Sequence, residues 1–399
     1  MEEWKEYKLG DVCTISSSKR IFASEYQNKG IPFYRGKEII EKQNGSKISN
    51  ELFISENRYN EIKSRYGAPK EGDMLLSSVG TLGVPYVVQN EAFYFKDGNL
   101  TWFYDFQGIN NYFLYYWFLS PKARFLVDTK AIGSTQKALT IETLKKFDIS
   151  LPPIDTQKNI VAILKSLDDK IEVNRRINDN LEQQAQALFK SWFVDFEPFK
   201  DREFIDTEMG KIPEGWKVGT LYDVAEIYDR LRKPLSGKDR ENMKRTYPYY
   251  GATSCMDFVD NYIFDGIYTL IGEDGSVVKD NGLPYMQYVW GKFWVNNHAH
   301  ILQGKNGYST EMIHVLLSIT NIQHLVTGAV QAKLSQANMQ KILLAIPPSN
   351  ILDEFRPIIG CMYEMRRKNE DESARLTHLR DSLLPKLMSG ELKADEINL

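Results

Sequence analysis

The first 150 residues show short apolar runs separated by glycine, asparagine and lysine, with no sustained helical period. The segments DMLLSSVGTLGVPYVVQN and EAFYFKDGNLTWF are typical of this part of the chain. Such a pattern indicates strands joined by turns. One helix is expected from Asn110 to Leu126, with a break near Pro121. The pattern therefore predicts a domain of mixed strands and short helices.

From Asp155 the apolar positions repeat every seven residues. With Ile160 as position a of the heptad, the a positions are Ile160, Leu167, Asn174, Leu181 and Leu188. The d positions are Leu164, Ile171, Asn178, Ala185 and Trp192. No proline or glycine occurs from Ile154 to Glu197. A helix of about 40 residues is about 60 Å long, so the repeat predicts a coiled-coil strut.

The chain then repeats itself. Residues 133–153, GSTQKALTIETLKKFDISLPP, match residues 328–348, GAVQAKLSQANMQKILLAIPP, at six of 21 positions without a gap. Similarly, WKEYKLGDV at 4–12 resembles WKVGTLYDV at 216–224. The two offsets, 195 and 212 residues, indicate a duplication with insertions and deletions inside the copies.

The 195-residue offset predicts a second long helix after the second copy. Its a positions are Phe355, Met362, Asn369, Leu376 and Leu383. Its d positions are Ile359, Arg366, Ser373, Arg380 and Leu387, which makes this the more polar and weaker seam. Pro357 is expected within about the first turn, where proline is tolerated.

The sequence thus predicts an α+β protein in which two long helices separate two similar globular domains. The expected segments are a domain at 1–150, a helix at 151–198, a linker at 199–215, a domain at 216–346, a helix at 347–390 and a tail at 391–399. We expect the helices to pack as an antiparallel coiled coil with pseudo-two-fold symmetry. Asn174 and Asn369 would then meet and hydrogen-bond at mid-helix, fixing the register; the alternative is that each faces solvent.

Composition narrows the class of protein. A net charge of −3 taken alone argues against a stand-alone nucleic-acid binder, whose charge is usually positive, although positive charge clusters locally in this chain. The acidic start is unlike a secretory signal, and the apolar run from Tyr112 to Leu119 is too short to span a bilayer. Cys13, Cys255 and Cys361 are odd in number and scattered, which favours reduced thiols and a cytoplasmic location.

Sequence motifs for catalysis are missing. The chain has no GxxxxGK[ST] phosphate loop, and its Pro-Pro pairs lack the flanking residues of a DNA-methyltransferase loop. His298 and His300 form an HxH pair that could ligate a metal. We favour an ordinary strand, because no third ligand has a recognisable spacing. The isolated histidines, His314, His324 and His378, indicate surface or packing positions, and Asp168-Asp169 a solvated helix face.

Three segments carry a family resemblance. LPPIDTQKNIVAILKSLDDKIEVNRRINDNLEQQAQALFKSWFVDFEPF, MGKIPEGW at 209–216 and LRDSLLPKLMSGEL at 379–392 resemble the conserved regions of specificity subunits of type I restriction–modification systems. The resemblance covers essentially the whole chain. The second helix departs from the pattern in having Leu352 where the first has Gln157.

The resemblance implies a non-catalytic, DNA-binding subunit. Its two target-recognition domains each read one half of a bipartite site in double-stranded DNA. The helices set the spacing and dock two modification subunits. S-adenosylmethionine belongs to the modification subunit, and ATP and Mg belong to the restriction subunit; this chain itself would carry no cofactor and no metal.

DNA contacts require cations and hydroxyls on loops. The stretch DRLRKPLSGKDRENMKRTYPYYGATS at 229–254 is the best candidate, with SSSKR at 16–20, PFYRGK at 32–37 and the turns SSVGTLG at 77–83 and GEDGSVV at 272–278. The candidate residues in the first domain are Ser17, Lys19, Arg20, Arg35, Lys37, Ser77, Ser78 and Thr81. Those in the second are Arg230, Arg232, Lys233, Lys238, Arg240, Lys244, Arg245, Tyr249, Tyr250 and Ser276. Solvated charged loops and simple hairpin turns are the alternatives.

Two other functions remain open from the residues alone. One is a single-chain nuclease or methyltransferase, against which the missing cofactor motif counts. The other is a scaffold with duplicated domains that binds no DNA, which the near-neutral charge permits.

Overall fold

The computed structural model describes residues 4–133, 137–328 and 331–397. The chain divides into two compact units, one formed by residues 1–173 with 372–399 and the other by residues 174–371. Each unit holds a β-rich part and a segment of both long helices.

The first unit begins with nine strands and seven helices. The strands are β1 (Lys5–Lys8), β2 (Thr14–Ser16), β3 (Ile31–Tyr34), β4 (Phe53–Ile54), β5 (Met74–Ser77), β6 (Pro85–Val87), β7 (Tyr94–Phe95), β8 (Leu100–Tyr104) and β9 (Asp148–Leu151). The helices are α1 (Leu9–Val12), α2 (Gly36–Gln43), α3 (Glu56–Tyr66), α4 (Asn111–Leu119), α5 (Pro121–Lys130), α6 (Ile141–Lys145) and α7 (Ile154–Phe193), the last of which continues into the second unit.

These strands form small sheets, in the orders β2-β8-β5-β6, β4-β3-β7 and β1-β9. The predicted helical break is confirmed: the Asn110 side chain caps α4, and Ser120 ends α4 while its hydroxyl caps α5 at the Ala123 amide. Proline at the first position of α5 needs no amide partner there. Helices α4 and α5 pack with β5 and β8 in one apolar core.

The second unit contains ten strands and the remaining helices. The strands are β10 (Phe204–Thr207), β11 (Gly210–Pro213), β12 (Lys217–Thr220), β13 (Ala225–Ile227), β14 (Tyr247–Tyr250), β15 (Cys255–Val259), β16 (Phe264–Gly272), β17 (Met286–Val295), β18 (Ala299–Gly304) and β19 (Leu343–Ile346). The helices are α8 (Leu221–Val224), α9 (Gly237–Arg240), α10 (Thr310–Ser318), α11 (Gln336–Met339) and α12 (Ser349–Ser389), which continues into the first unit.

Its main sheet has six strands in the order β13-β18-β16-β17-β14-β15, beside the pairs β12-β19 and β10-β11. Alternating apolar residues of β16 and β18 face α10, whose buried residues join the largest core of the unit. The expectation of strand-rich domains joined to long helices is therefore confirmed.

The duplication predicted from the sequence is repeated in the hydrogen bonds inside each unit. The antiparallel pairs β1–β9 and β12–β19 match: Lys5 lies opposite Leu151, and Lys217 lies opposite Ile346. A further matched pair of bonds runs from the Leu9 amide to the Phe147 carbonyl and from the Leu221 amide to the Ile342 carbonyl, both at 3.0 Å. The repeated Gly133 and Gly328 both have positive φ, 112° and 95°, which favours glycine.

In the first unit, α7 packs against the last part of α12. Ile160 and Leu164 share a core with Leu384 and Leu387. The Arg380 guanidinium donates to Asp168 at 2.7 Å, and the Tyr116 hydroxyl donates to the other oxygen of that carboxylate at 2.7 Å. The interpretation of Asp168 as a solvated residue was therefore wrong, because this carboxylate joins both helices to α4 of the first unit.

In the second unit the other halves of the helices meet. Asn174 lies beside Asn369, Arg366 donates to Glu182 at 3.1 Å, and the Phe189 and Phe355 rings are 5.9 Å apart. Moving forward along α7 thus means moving backward along α12, so the predicted antiparallel packing is confirmed. Pro357 lies about two turns inside α12, deeper than expected.

Gln157 attaches α7 to the first domain. Its side-chain oxygen accepts from the Asn110 amide at 2.8 Å, and its amide donates to the carbonyls of Gly108 at 3.0 Å and Pro152 at 2.9 Å. The counterpart Leu352 is also buried. The Gln-to-Leu difference between the helices is therefore a difference in how each helix packs onto its own domain.

Candidate nucleic-acid interface

Each unit has a set of loops at the end of its main sheet, joined by equivalent backbone hydrogen bonds. We call residues 16–20, 78–83, 97–99 and 137–140 the first loop cluster. Residues 229–236, 273–278, 296–299 and 331–336 are the second loop cluster. These segments contain about half of the candidate DNA-binding residues and part of the repeated 21-residue motif.

In the first loop cluster, the Ser78 amide donates to the Asn99 carbonyl at 2.8 Å, and the Leu139 amide donates to the Ser78 carbonyl at 2.9 Å. In the second, the Glu273 amide donates to the His298 carbonyl at 2.8 Å, and the Leu334 amide donates to the Glu273 carbonyl at 2.8 Å. Leu139 and Leu334 are buried. The repeated motif thus fixes one end of each loop cluster through its leucine.

The polar side chains beneath the second loop cluster contact one another; those of Asp229 and His300 are buried, and those of Arg232 and Glu273 are half-buried. The Asp229 carboxylate lies 2.5 Å from His300 Nδ1. It also accepts from the Ile301 backbone amide at 3.0 Å and from the Gln336 side-chain amide at 2.5 Å. The Arg232 guanidinium donates to Glu273 at 2.6 Å and lies 3.4 Å from Asp229. Two carboxylates, the Arg232 guanidinium and the His300 ring therefore form one network.

His300 has an acceptor at each ring nitrogen. Nδ1 faces the Asp229 carboxylate, and Nε2 donates to the Leu334 carbonyl at 2.7 Å. The ring thus bridges a carboxylate and a backbone carbonyl. Together with Arg232 it gives the two carboxylates of the network partners within the protein, which is how buried ions are tolerated.

The pKa of Asp229 reflects these contacts. Burial by itself raises the pKa of Asp229. The hydrogen bond and charge of His300, together with Gln336 and Arg232, outweigh that effect and hold the pKa below its usual range. The carboxylate is thus ionised at neutral pH.

The same residues are the metal-ligand candidates of this chain. In the described ranges, Asp229, Glu273 and His300 have one potential ligand atom each within 4.8 Å of one another. Arg232, however, already binds Glu273 and approaches Asp229, and His300 uses both ring nitrogens. These donors are satisfied by the protein, and the geometry favours an ion-pair network over a cation site.

The HxH pair separates into two environments. His300 lies on β18 and is 1% exposed, whereas His298 precedes the strand and its Nδ1 lies 2.5 Å from Asp274. His314 is a packing residue, buried between Tyr288 and Tyr363 with its Nδ1 3.4 Å from the Thr269 hydroxyl. Burial lowers the pKa of His314 to about 3, with smaller contributions from Arg366 and Lys279.

The first loop cluster has hydroxyl groups where the second has charges. The Ser78 and Thr101 hydroxyls are 2.6 Å apart and buried, and the Ser78 hydroxyl also lies 3.2 Å from the Leu76 carbonyl. By the offsets of the two repeats and the matched bonds, Ser17, Ser78 and Thr101 occupy the places of Asp229, Glu273 and His300.

Several candidate residues are exposed. Lys19 is exposed with its ammonium 4.9 Å from the centre of the Tyr66 ring, and Arg20 is 68% exposed while binding Asp97 at 2.8 Å. The other exposed candidates, for which no side-chain partner is found in the described part of the chain, are Ser17, Thr81, Arg230, Lys233, Lys238, Lys244 and Ser276. Thr81 and Ser276 follow Gly80 and Gly275, whose φ angles are 82° and 77°.

Other candidate cations are held by carboxylates of the same unit. Arg35 binds buried Glu38 at 2.5 Å, and Lys37 lies 3.7 Å from Glu41. Arg240 and Arg245 both bind Asp257, the latter at 2.9 Å and 72% exposed. Arg232 is 13% exposed.

The remaining candidates lie in the interior. Ser77 is buried and accepts from the Val84 amide at 2.9 Å. Ser78 is buried with Thr101, as described above. Tyr249 is 2% exposed, and its hydroxyl accepts from the Leu235 amide at 3.0 Å. Burial raises the pKa of the half-buried Tyr250 to about 12. These side chains support the loops from below.

Sequence reasoning missed the acidic half of the network. Neither Asp229 nor Glu273 was predicted as a site residue. The exposed Lys333, which lies 3.5 Å from Glu273, was not predicted either. Asp229 and Arg232 are three residues apart in the segment DRLR, a spacing that suits an ion pair. That spacing was the one local signal.

Three asparagines lie together between the long helices. The Asn174 side-chain amide donates to the Asn369 carbonyl at 3.4 Å, and the Asn369 side-chain amide donates to Asn178 Oδ1 at 2.8 Å. Asn178 in turn donates to the Arg366 carbonyl at 3.2 Å.

Gln136, the partner of Gln331 in the repeat, lies outside the described residues.

No helix in the described part of the chain is long and apolar enough to cross a membrane.

Comparison with known proteins identifies the family. The type I restriction modification DNA specificity domain matches residues 1–183 and 213–354. The chain is 28% identical to the type I restriction enzyme MjaIX specificity subunit of Methanocaldococcus jannaschii over 99% of this chain and 95% of that protein. It is 24% identical to the HindI specificity subunit of Haemophilus influenzae over 98% of this chain and 100% of that protein.

A solved structure shows the same fold. The crystal structure of the type I restriction-modification S subunit from M. genitalium aligns with a TM-score of 0.58 at 16% identity, over 96% of both chains. With the sequence match over most of its length, the chain belongs to the DNA specificity subunits of type I restriction–modification systems, a non-catalytic family whose members carry no cofactor.

Proposed function

We propose that this chain binds a bipartite site in double-stranded DNA, with each recognition domain reading one half. The observation that supports this most directly is the pair of matched loop clusters. Equivalent backbone bonds hold them, while the exposed and supporting side chains differ. A duplicated framework with different side chains suits two readers of different half-sites.

The recognition domains are residues 1–150 and 216–346, and the helical segments are 151–198 and 347–390, joined by the linker 199–215. The tail is 391–399. Helix α7 has 40 residues and is about 60 Å long. Along one side of a B-DNA duplex, the major groove recurs about every 34 Å. The helices would thus set an unread gap between the half-sites, and the asparagine group would fix their register.

Exposed cations and hydroxyls of the two loop clusters would make the DNA contacts. Arg230 and Lys233 flank the half-buried Arg232 on one segment, and Ser276 and Lys333 lie on the neighbouring segments. In the first domain, Lys19, Arg20, Ser17 and Thr81 would serve the same purpose. Hydroxyl and ammonium groups contact phosphates, and Arg or Lys also reads base edges.

Two modification subunits would dock on the helices and carry S-adenosylmethionine. Restriction subunits using ATP and Mg would join them in the cytoplasm. This chain would contribute recognition and spacing, and the reaction would take place on the other polypeptides.

The test is to co-express this chain with its modification subunits and map methylated bases in the host genome. The expected result is a split motif with a fixed, unspecified centre. Methylation by the purified chain alone would indicate an enzyme in its own right. A complete absence of sequence-specific methylation and binding in the assembled complex would indicate a scaffold and overturn the proposal.

The contact surface is tested by Arg230→Ala with Lys233→Ala in the assembled complex. Loss of two phosphate contacts should reduce the slope of log affinity against log salt by about 2. Lys211→Ala, at an exposed lysine on the β10–β11 hairpin, is the matched control and should leave the slope unchanged. An unchanged slope in the double variant would remove this segment from the DNA interface.

A further inference from the structure

The segments of the second loop cluster converge on one buried side chain. His300 reaches residues 229–236 through Asp229 and residues 331–336 through the Leu334 carbonyl. Its strand neighbour Ala299 accepts from Arg232 at 2.8 Å, and Arg232 in turn holds Glu273 in the third segment. Each segment therefore depends on the others through this network.

Backbone bonds alone join only part of the cluster. The Gly275 amide donates to the Ala332 carbonyl at 2.9 Å, and the Leu334 amide donates to the Glu273 carbonyl at 2.8 Å. These bonds tie residues 273–278 to residues 331–336. Residues 229–236, which carry Arg230 and Lys233, are held against those two segments through the side chains of Asp229 and Arg232.

We propose that His300 is a positioning residue for recognition of the second half-site. Its ring holds Asp229, and thereby the segment bearing Arg230 and Lys233, in the arrangement that reads DNA. This inference rests on the proposed function and deepens it. The first recognition domain holds its loops with the uncharged Ser78–Thr101 pair, so recognition of the first half-site does not depend on such a network.

Neutral replacement isolates this role. His300→Gln removes the ring, and one side-chain amide cannot replace both ring contacts, to Asp229 and to the Leu334 carbonyl. Asp229→Asn removes the partner charge while keeping the size of the side chain. His324→Gln, at an exposed histidine of the same unit, is the control.

The measurement is binding by the complex with its modification subunits to three DNA duplexes: the intact site, one with the first half changed and one with the second half changed. We expect His300→Gln and Asp229→Asn to lower discrimination at the second half by at least about tenfold. Discrimination at the first half should stay within about twofold of the value for the complex without a substitution. His324→Gln should change neither.

Hydrogen exchange on the same complexes separates positioning from general unfolding. We expect faster exchange in residues 229–236 with unchanged exchange in β16 and β17. Unchanged discrimination at both halves would overturn the proposal. So would equal loss at both halves together with fast exchange throughout the unit, since the network would then be merely structural. If the complex without a substitution binds all three duplexes equally well, the proposed function itself is wrong.

Discussion

The two loop clusters share a backbone and differ in the chemistry beneath it. Where Ser78 and Thr101 meet as neutral hydroxyls in the first unit, the second places Glu273 and His300 among Asp229 and Arg232. The duplicated part of this fold is therefore the hydrogen-bonded frame. The residues supporting the loops could diverge because the frame is held by main-chain bonds and by buried leucines.

This contrast predicts very different costs of removing one partner. Arg232→Ala takes the guanidinium away from the buried Asp229 and the half-buried Glu273 and should lower the free energy of unfolding by about 3–5 kcal/mol. Ser78→Ala breaks a neutral hydrogen bond and should cost about 1 kcal/mol. Denaturant unfolding of both variants measures the difference. Equal losses would show that the charged network adds nothing to the second unit.

A second difference between the units is the dependence of stability on pH. His314 is buried in the second unit and stays neutral in the folded state because burial lowers its pKa to about 3. The unfolded chain binds this proton below about pH 6.5. Stability should therefore fall as pH drops from about 6.5 towards 3, by about 3 kcal/mol at pH 4.5.

The check is unfolding of the protein and of His314→Gln across that range of pH. The variant should lose less stability on acidification than the unmodified protein, whatever its stability at neutral pH. His378→Gln, at an exposed histidine on α12, should leave the pH dependence unchanged. The same pH slope in all three proteins would contradict the assignment of His314.

The smallest expected effect concerns the seam of the helices. Replacing both Asn174 and Asn369 by leucine removes polar groups that fix register at a cost in stability. The double variant should gain about 1 kcal/mol or populate more than one helix register. Denaturant unfolding measures the first outcome, and distances between spin labels on the two helices measure the second. Severe unfolding with the register unchanged would rule out a register role.

The helices and the frame could be predicted because their signals are local or repeated. The heptad repeats predicted the two long helices, and Pro121 predicted the break between α4 and α5. The repeated Leu139 and Leu334 indicated equivalent positions in the two units. Contacts distant in sequence could not be predicted in this way. Asp229 meets His300 over a separation of 71 residues, and Asp168 meets Arg380 over 212.

The candidate DNA residues show the same division. Residues 229–254 are a candidate because of their many cations, but composition could not separate the cations that face solvent from those that hold the loops. Arg232 and Arg230 are two positions apart, yet one is bound to Glu273 and the other is exposed. Only the fold supplies the carboxylates that decide between them.

In the proposed function, the paired helices hold two DNA-reading domains at a set distance along the duplex. Deleting residues 174–180 together with their counterparts 369–375 removes one heptad from each helix and shortens the pair by about 10 Å. Mapping of methylated sites should then give the same two half-sites with a gap shorter by about three base pairs, or no methylation at all. Methylation of both half-sites with the original gap would contradict the account.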